Sequence, residues 1–288
     1  MHIQWYPGHM TKAMRMMQEA VKQVDCVIYV LDCRAIASCI NPKFDEMIAG
    51  KPTLYILGKS DLVEAKDVKL WSAYFASQGK SFVVADNISG RQRGLIIDKL
   101  KQINKSMIDK YAAKGANKSI RAMVVGVPNT GKSTLINSLC ASKRAITGNR
   151  PGVTRGKQWV SLAEGIELLD TPGAVPPAFE DQQKALHLAF IGSIKEDILH
   201  LDDLAIEIIN YCRQKNYNAF CERYRLEKID EDNVQVFDDV AKSRGYLLGK
   251  KGYDYDRTAK AIVYDFKNQK IGKIMLDYPP DASAIERI

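Results

Sequence analysis

The feature that most constrains this 288-residue chain is Gly126-Val127-Pro128-Asn129-Thr130-Gly131-Lys132-Ser133. It follows the apolar run 122–125 and opens the amphipathic run 134–140. Strand, glycine-rich turn and helix start, in that order, are the setting in which G-x-x-x-x-G-K-S binds phosphate. Gly126 and Gly131 permit backbone angles and a close approach that a Cβ would forbid. The N–H groups of the turn and the helix N-terminus then face an anion. Lys132 brings a charge to the β- and γ-phosphates, and the Ser133 hydroxyl is a magnesium ligand.

The rest of the chain supplies a sheet for that loop. Apolar runs at 26–31, 52–57 and 81–85 read as strands. Between and before them, 11–24 and 66–78 carry apolar residues at helical spacing, and 91–114 reads as one long basic helix. Residues 114–118 are a linker. Strands alternating with helices imply an α/β fold: a mostly parallel sheet with helices on both faces. After the phosphate loop come a glycine-rich loop at 147–154 and two antiparallel strands, 157–162 and 166–169. From 181 onward the spacing is helical, although 261–266 and 273–276 fit helix or strand equally. The expected division is 1–177, a nucleotide-binding domain, and 178–288, a mainly helical domain.

Composition narrows the class further. No apolar run approaches the roughly 20 residues of a membrane helix. The N-terminal stretch has neither secretory nor transit-peptide character, so a cytoplasmic protein is expected. The six cysteines form no C-x-x-C pair, which favours thiols in a reducing compartment over zinc or disulfides. Net charge is +8, unevenly spread. Residues 61–160 hold 18 Lys/Arg and 6 Asp/Glu, and 161–205 hold 2 and 9. Segment 99–121 has seven basic residues and one acid, Asp109. Such a one-sided field attracts polyanions; a solvated lysine-rich helix face is the plainer reading. Residues 206–288 are nearly balanced, with 15 basic and 14 acidic.

Three further pieces name a base. Asp170-Thr171-Pro172-Gly173 follows an apolar strand, placing a carboxylate near the magnesium shell and the Gly173 N–H near a γ-phosphate. Thr154, in the loop between, adds a hydroxyl as a switch segment does. Gly58-Lys59-Ser60-Asp61, at a strand end, resembles the guanine motif N-K-x-D, in which the Asp accepts both guanine N–H groups and the Lys stem lies along the base. In an ordinary GTPase that motif follows the phosphate loop. Here it precedes it by about seventy residues. The same sheet is built if the usual termini are joined through 91–120 and the chain is opened after Asp170-Thr171-Pro172-Gly173.

With these motifs the chain resembles the circularly permuted GTPases of the ribosome biogenesis GTPase A (YlqF) family over nearly its whole length. The other residues that carry the resemblance are Trp5-Tyr6-Pro7-Gly8-His9-Met10, Asp32-Cys33-Arg34, Asn41-Pro42, Gly148-Asn149-Arg150-Pro151-Gly152-Val153-Thr154 and Phe179-Glu180-Asp181. The resemblance implies a monomeric GTPase that binds ribosomal RNA and assists late assembly of the large ribosomal subunit, with RNA contacts in the helical domain. It implies GTP or GDP held by Gly58, Lys59, Ser60, Asp61, Asp86, Asn87, Asn129, Thr130, Gly131, Lys132, Ser133, Thr134 and Gly173. Magnesium would sit at Ser133, Thr154 and, through water, Asp170. Potassium would act through Asn129. Lys132, Thr154 and Gly173 would serve hydrolysis, and His9, in the Pro7-Gly8 turn, would position the attacking water. Ala174 stands where other GTPases carry a glutamine, so turnover should be slow alone and raised by the ribosome.

The chain departs from the family pattern at Gly58, which replaces an Asn. One lost hydrogen bond costs about 0.5–1.5 kcal/mol, up to roughly tenfold in affinity. No clean match to the guanine-O6 loop occurs around Asp86-Asn87-Ile88, and Asp32-Cys33-Arg34-Ala35-Ile36 lacks the family proline. Two other readings stand beside a GTP-driven assembly factor. One is a nucleotide-gated RNA-binding chaperone with negligible hydrolysis. The other is an ATP-using phosphate-loop enzyme, against which Asp61 argues.

Overall fold

The computed structural model describes residues 3, 8–85, 92–140, 158–162, 165–175, 179, 181–249 and 252–280. The sheet strands are β1 (Cys26–Asp32), β2 (Thr53–Gly58), β3 (Ser81–Ala85), β4 (Ile120–Val125), β5 (Gln158–Leu162) and β6 (Ile166–Asp170). Helices α1 (Gly8–Ala20), α2 (Ile36–Cys39), α3 (Pro42–Met47), α4 (Ala65–Ser77), α5 (Arg93–Ile103), α6 (Lys105–Ala112) and α7 (Lys132–Cys140) intervene. Five more follow β6: α8 (Gln182–Phe190), α9 (Leu201–Lys215), α10 (Tyr217–Tyr224), α11 (Asn233–Arg244) and α12 (Tyr255–Lys267).

The strand order is β3-β2-β1-β4-β6-β5. All pairs are parallel except the β5–β6 pair, which is antiparallel. Read from β4 through β6 and then back to β1, this is the sheet of a GTPase whose chain opens elsewhere: the fold is circularly permuted. The chain winds outward in both directions from the β1–β4 pair. Ligands bind at the carboxyl ends of strands at such a switch point, and there Asp32 ends β1 and Gly126 follows β4.

Strand β1 is buried along its whole length, as a central parallel strand must be when helices cover both faces. Its alternate residues divide between two cores. Cys26, Ile28 and Val30 join α5 and α7 on one face. Val27, Tyr29 and Leu31 join α1, α3 and α4 on the other. The second core does not stop at the sheet. It continues through Ala174 and Val175 into α8, α9, α11 and α12, ending at Ile271, Ile274, Met275 and Leu276. The helical region is thus packed on one face of the sheet through continuous apolar contact.

Two expectations are corrected, and a reading left open between helix and strand is settled. The long basic helix over 91–114 is two helices, broken at Asn104. The buried Asn104 side chain donates to the Leu100 carbonyl at 2.8 Å, and its φ of −105° and ψ of 9° leave the helical region. Asparagine competes with the backbone for hydrogen bonds in this way. His9 lies within the first turn of α1, not in a turn ahead of it; its side chain is outside the described residues. Finally, 261–266 belongs to helix α12, whereas 273–276 is neither helix nor strand. It is an irregular strap. The Leu276 N–H donates to the Arg34 carbonyl at 2.7 Å, and the Tyr211 hydroxyl to the Met275 carbonyl at 3.0 Å.

The strap ends in a buried polar knot. The Asp277 carboxylate accepts from the Ser38 N–H (2.6 Å) and hydroxyl (3.0 Å), and stands 2.5 Å from His187 Nδ1. The Trp71 indole donates to the Asp277 carbonyl at 3.0 Å. Buried polar groups are tolerated only when partnered, so this knot holds the strap to α2, α4 and α8. Among the described residues no helix is long and apolar enough to cross a membrane.

Candidate functional site: a nucleotide cleft at the strand switch point

The phosphate loop has the backbone its glycines allow. Gly126 has φ of 152°, Asn129 of 61° and Gly131 of 100°. A Cβ at Gly126 would stand 2.5 Å from the Val30 carbonyl oxygen of the neighbouring strand. The first glycine is therefore demanded by strand crowding as well as by φ. The Thr130 hydroxyl closes the turn on the Val127 carbonyl at 3.0 Å, and Lys132 Nζ bonds the same oxygen at 2.9 Å. Lys132 and Thr130 are buried. Burial draws the Lys132 ammonium down to about 8, partly offset by the Asp170 carboxylate.

Asp170 ends β6 fully buried, and its Oδ2 accepts from the Ser133 hydroxyl at 3.1 Å. A hydroxyl and a carboxylate side by side are hard oxygen donors of the kind magnesium takes. The Thr171 hydroxyl anchors the next residue to the Val124 carbonyl at 2.6 Å. Gly173 then passes directly over the phosphate loop. An added Cβ would lie 2.7 Å from Pro128 Cα and N and 2.8 Å from Lys132 Nζ. Ala174 and Val175 turn into the core, fully buried.

The guanine-type turn meets this cleft from β2. Gly58 pairs with Asp32 across the β1–β2 ladder, and Ala85 of β3 with Gly58. Lys59 has the left-handed φ of 56°, which turns the chain into the short helix Ser60–Leu62 with Asp61 exposed. Lys59 Nζ bonds the Asn129 carbonyl at 2.5 Å and Asp32 Oδ2 at 2.9 Å. The lysine therefore ties the guanine turn to the phosphate loop.

Asp32 and Arg34, at the carboxyl end of β1, serve one another. Both Asp32 oxygens bond Arg34, at 3.0 Å to Nε and 2.8 Å to Nη2. Burial pushes the Asp32 carboxyl up, but the Arg34 guanidinium and Lys59 ammonium outweigh it and hold it well below the usual carboxylate range. The fourth partner of this set comes from the far end of the chain: Arg34 Nη1 donates to the Lys267 carbonyl at 2.9 Å.

The structure thus brings Gly58, Lys59, Ser60 and Asp61 to the cleft that holds Asn129, Thr130, Gly131, Lys132, Ser133, Thr134, Asp170 and Gly173. Thr154, Asp86 and Asn87 lie outside the described residues, as does the His9 side chain. Two contacts had no signal in the sequence. The Ser193 hydroxyl donates to the Pro128 carbonyl at 2.7 Å, and the Asn129 amide to the Gly192 carbonyl at 2.6 Å. Gly192 reads as an ordinary helix stop after α8, and nothing local shows that it touches residues more than sixty positions earlier.

A phosphate loop, a strand-end Asp-x-x-Gly and a Lys-x-Asp turn around one cleft, in permuted order, define a circularly permuted phosphate-loop GTPase. The family model of the 50S ribosome-binding GTPase matches residues 121–237. Ribosome biogenesis GTPase A of Bacillus cereus is 41% identical over 282 residues, covering 98% of this chain and 95% of its own. Its counterpart in Priestia megaterium is 39% identical, covering 98% and 99%. The GNP-bound crystal structure of YlqF from Thermotoga maritima superposes with a TM-score of 0.66 at 26% identity, covering 93% of this chain and 99% of that one. The chain belongs to the ribosome biogenesis GTPase A family.

One substitution tests the packing of Gly173 on the loop. Gly173→Ala is expected to force β6 and the phosphate loop apart and to weaken GTP binding about tenfold or more, roughly 1.4 kcal/mol. Unchanged affinity in a titration with a fluorescent GTP analogue is the contrary result.

Proposed function

We propose that this GTPase uses its nucleotide cycle to govern attachment to the large ribosomal subunit during late assembly, with contacts to ribosomal RNA. GTP hydrolysis and a role in ribosome assembly come with the family. The observation that carries the guanine reading is the Lys59 bridge, which holds the turn bearing Asp61 against the loop that holds the phosphates. Asp61 would accept the guanine N–H groups. Lys132 would meet the β- and γ-phosphates, with Thr154 and the Gly173 N–H sensing the γ-phosphate.

Magnesium, held by Ser133, Thr154 and, through water, Asp170, would neutralise phosphate charge. The Asn129 amide nitrogen is committed to the Gly192 carbonyl, so its oxygen faces another way, as a potassium ligand needs. His9 would orient the attacking water. Ala174 is apolar and buried and offers no group for that task, which supports slow turnover alone and stimulation by the subunit.

For RNA, the favoured surface is α5–α6. Lys101, Lys105, Lys110 and Lys114 are all exposed. Phosphate contacts by such lysines weaken steeply with salt. Residues 178–288 would form the second contact, and 1–177 the catalytic part. The protein would act as a cytoplasmic monomer. A non-hydrolysing chaperone is the second reading, favoured by Gly58 and the buried Ala174.

The deciding experiment measures binding of labelled GTP, GDP and ATP to the wild type and to Asp61→Ala, with and without large ribosomal subunits. Guanine preference that collapses in Asp61→Ala, with subunit association needing the triphosphate, is the expected outcome. Equal ATP binding defeats the guanine reading. No phosphate release with subunits and potassium present replaces the enzyme by the chaperone. Changing the four lysines to glutamate should lower subunit affinity at low salt and flatten its salt dependence; an unchanged salt slope removes α5–α6 from the interface.

A further inference from the structure

The turn leaving α8 lies directly on the phosphate loop. The Ser193 hydroxyl holds the Pro128 carbonyl, and both groups are buried. The Gly192 carbonyl holds the Asn129 side chain, and because a carbonyl only accepts, the amide NH2 must face it. The Asn129 carbonyl is taken by Lys59. Two consecutive residues of the loop are thus oriented by groups outside the motif.

These contacts belong to a closed ring. From Lys59 it runs to Asp32, from Asp32 to Arg34, and from Arg34 to the Lys267 carbonyl at the end of α12. The Lys267 side chain lies against Gly192, where an added Cβ would be 2.3 Å from its Cε, and its Nζ pairs with Glu196 at 3.1 Å. Gly192 then returns to Asn129. Phosphate loop, guanine turn and α12 are joined in one circuit that does not pass through Asp170-Thr171-Pro172-Gly173.

We propose that the Gly192–Ser193 turn is the coupling element between the phosphate loop and the helical region, with Ser193 a positioning residue for the loop. Nucleotide occupancy sets the position of Pro128 and Asn129, and the turn passes it to α8 and α12. Coupling is reciprocal: whatever the helical region binds alters nucleotide affinity by the same factor. The effect on the loop stands alone; its use in subunit binding rests on the function proposed above.

The test uses the full chain with Ser193→Ala, and Ser38→Ala as its control. Ser38→Ala also removes a buried hydroxyl that joins the sheet domain to the strap, through Asp277 and His187, but it touches no part of the phosphate loop. Titration with fluorescent GDP and a non-hydrolysable GTP analogue should show Ser193→Ala shifted about fivefold, the scale of one hydrogen bond, and Ser38→Ala unshifted at equal thermal stability loss. With large subunits, the ratio of their affinities for the two nucleotide forms should shrink by a similar factor in Ser193→Ala alone. Equal behaviour of the two variants, or no shift in either, overturns the proposal. Loss of nucleotide-dependent subunit binding in the wild type, with the Ser193 shift intact, refutes the subunit role and leaves the positioning role standing.

Discussion

Asp32→Ala is expected to destabilise the protein by about 3–5 kcal/mol, the range seen when one partner of a buried ion pair is removed. Asp32 is fully buried and accepts from the Arg34 backbone N–H at 3.1 Å as well as from its guanidinium and from Lys59. Without it, the Arg34 guanidinium, itself only 4% exposed, stays in the core with no anion. Denaturant titration reads the loss directly, and a change below about 1 kcal/mol contradicts this account of the cluster. Asp32→Leu combined with Arg34→Met should be much milder, because both charges leave together. The pH dependence follows from the sign of the shift. A carboxyl held below its unfolded value stabilises the fold above about pH 4 and loses that contribution as pH falls toward the folded value. The wild type should therefore show an acid-limb loss of stability that is reduced in Asp32→Ala.

Nucleotide affinity is expected to weaken as pH rises through about 8. Burial lowers Lys132 to about 8 in the free loop, while phosphate favours its charged form. Below that value the ammonium is already present. Above it, binding must take up a proton, and Kd for GDP should rise by up to tenfold per pH unit. Lys132→Ala should bind at least about a hundredfold more weakly, some 2.7 kcal/mol, and lose the pH dependence. Titrations between about pH 7 and 9 decide it. A flat profile in the wild type means that Lys132 is charged throughout, and that the Asp170 carboxylate outweighs burial.

The residue that replaces the family asparagine sits inside the sheet. Gly58 lies between Asp32 and Ala85 in the sheet, and the bracing an asparagine amide would give the phosphate loop is here supplied by Lys59 on the Asn129 carbonyl. The turn is held without an asparagine.

How much of this was legible beforehand depended on range. The phosphate loop, the Asp170-Thr171-Pro172-Gly173 turn and the Lys59–Asp61 turn were readable, because each is a local backbone solution that demands particular residues at close spacing. The strands were readable from their apolar runs, and the permuted order from the order of the motifs. The break at Asn104 was not, because side-chain competition for one carbonyl leaves no mark on periodicity. Nor was the strap at 273–276, whose apolar residues have no regular spacing and which is placed by the Arg34 carbonyl and the Tyr211 hydroxyl.

By itself, then, the sequence determined the kind of sheet, the cleft at its switch point and the chemistry of the loop that fills it. Only the tertiary structure decided that Asp32, Arg34 and Lys59 form one charged cluster, that Gly173 crosses the loop at contact distance, and that Gly192 and Ser193 grip it from the helical region. Those pairings join residues separated by as many as 65 positions. They follow from how the packed faces meet in space, which no local pattern of residue types encodes.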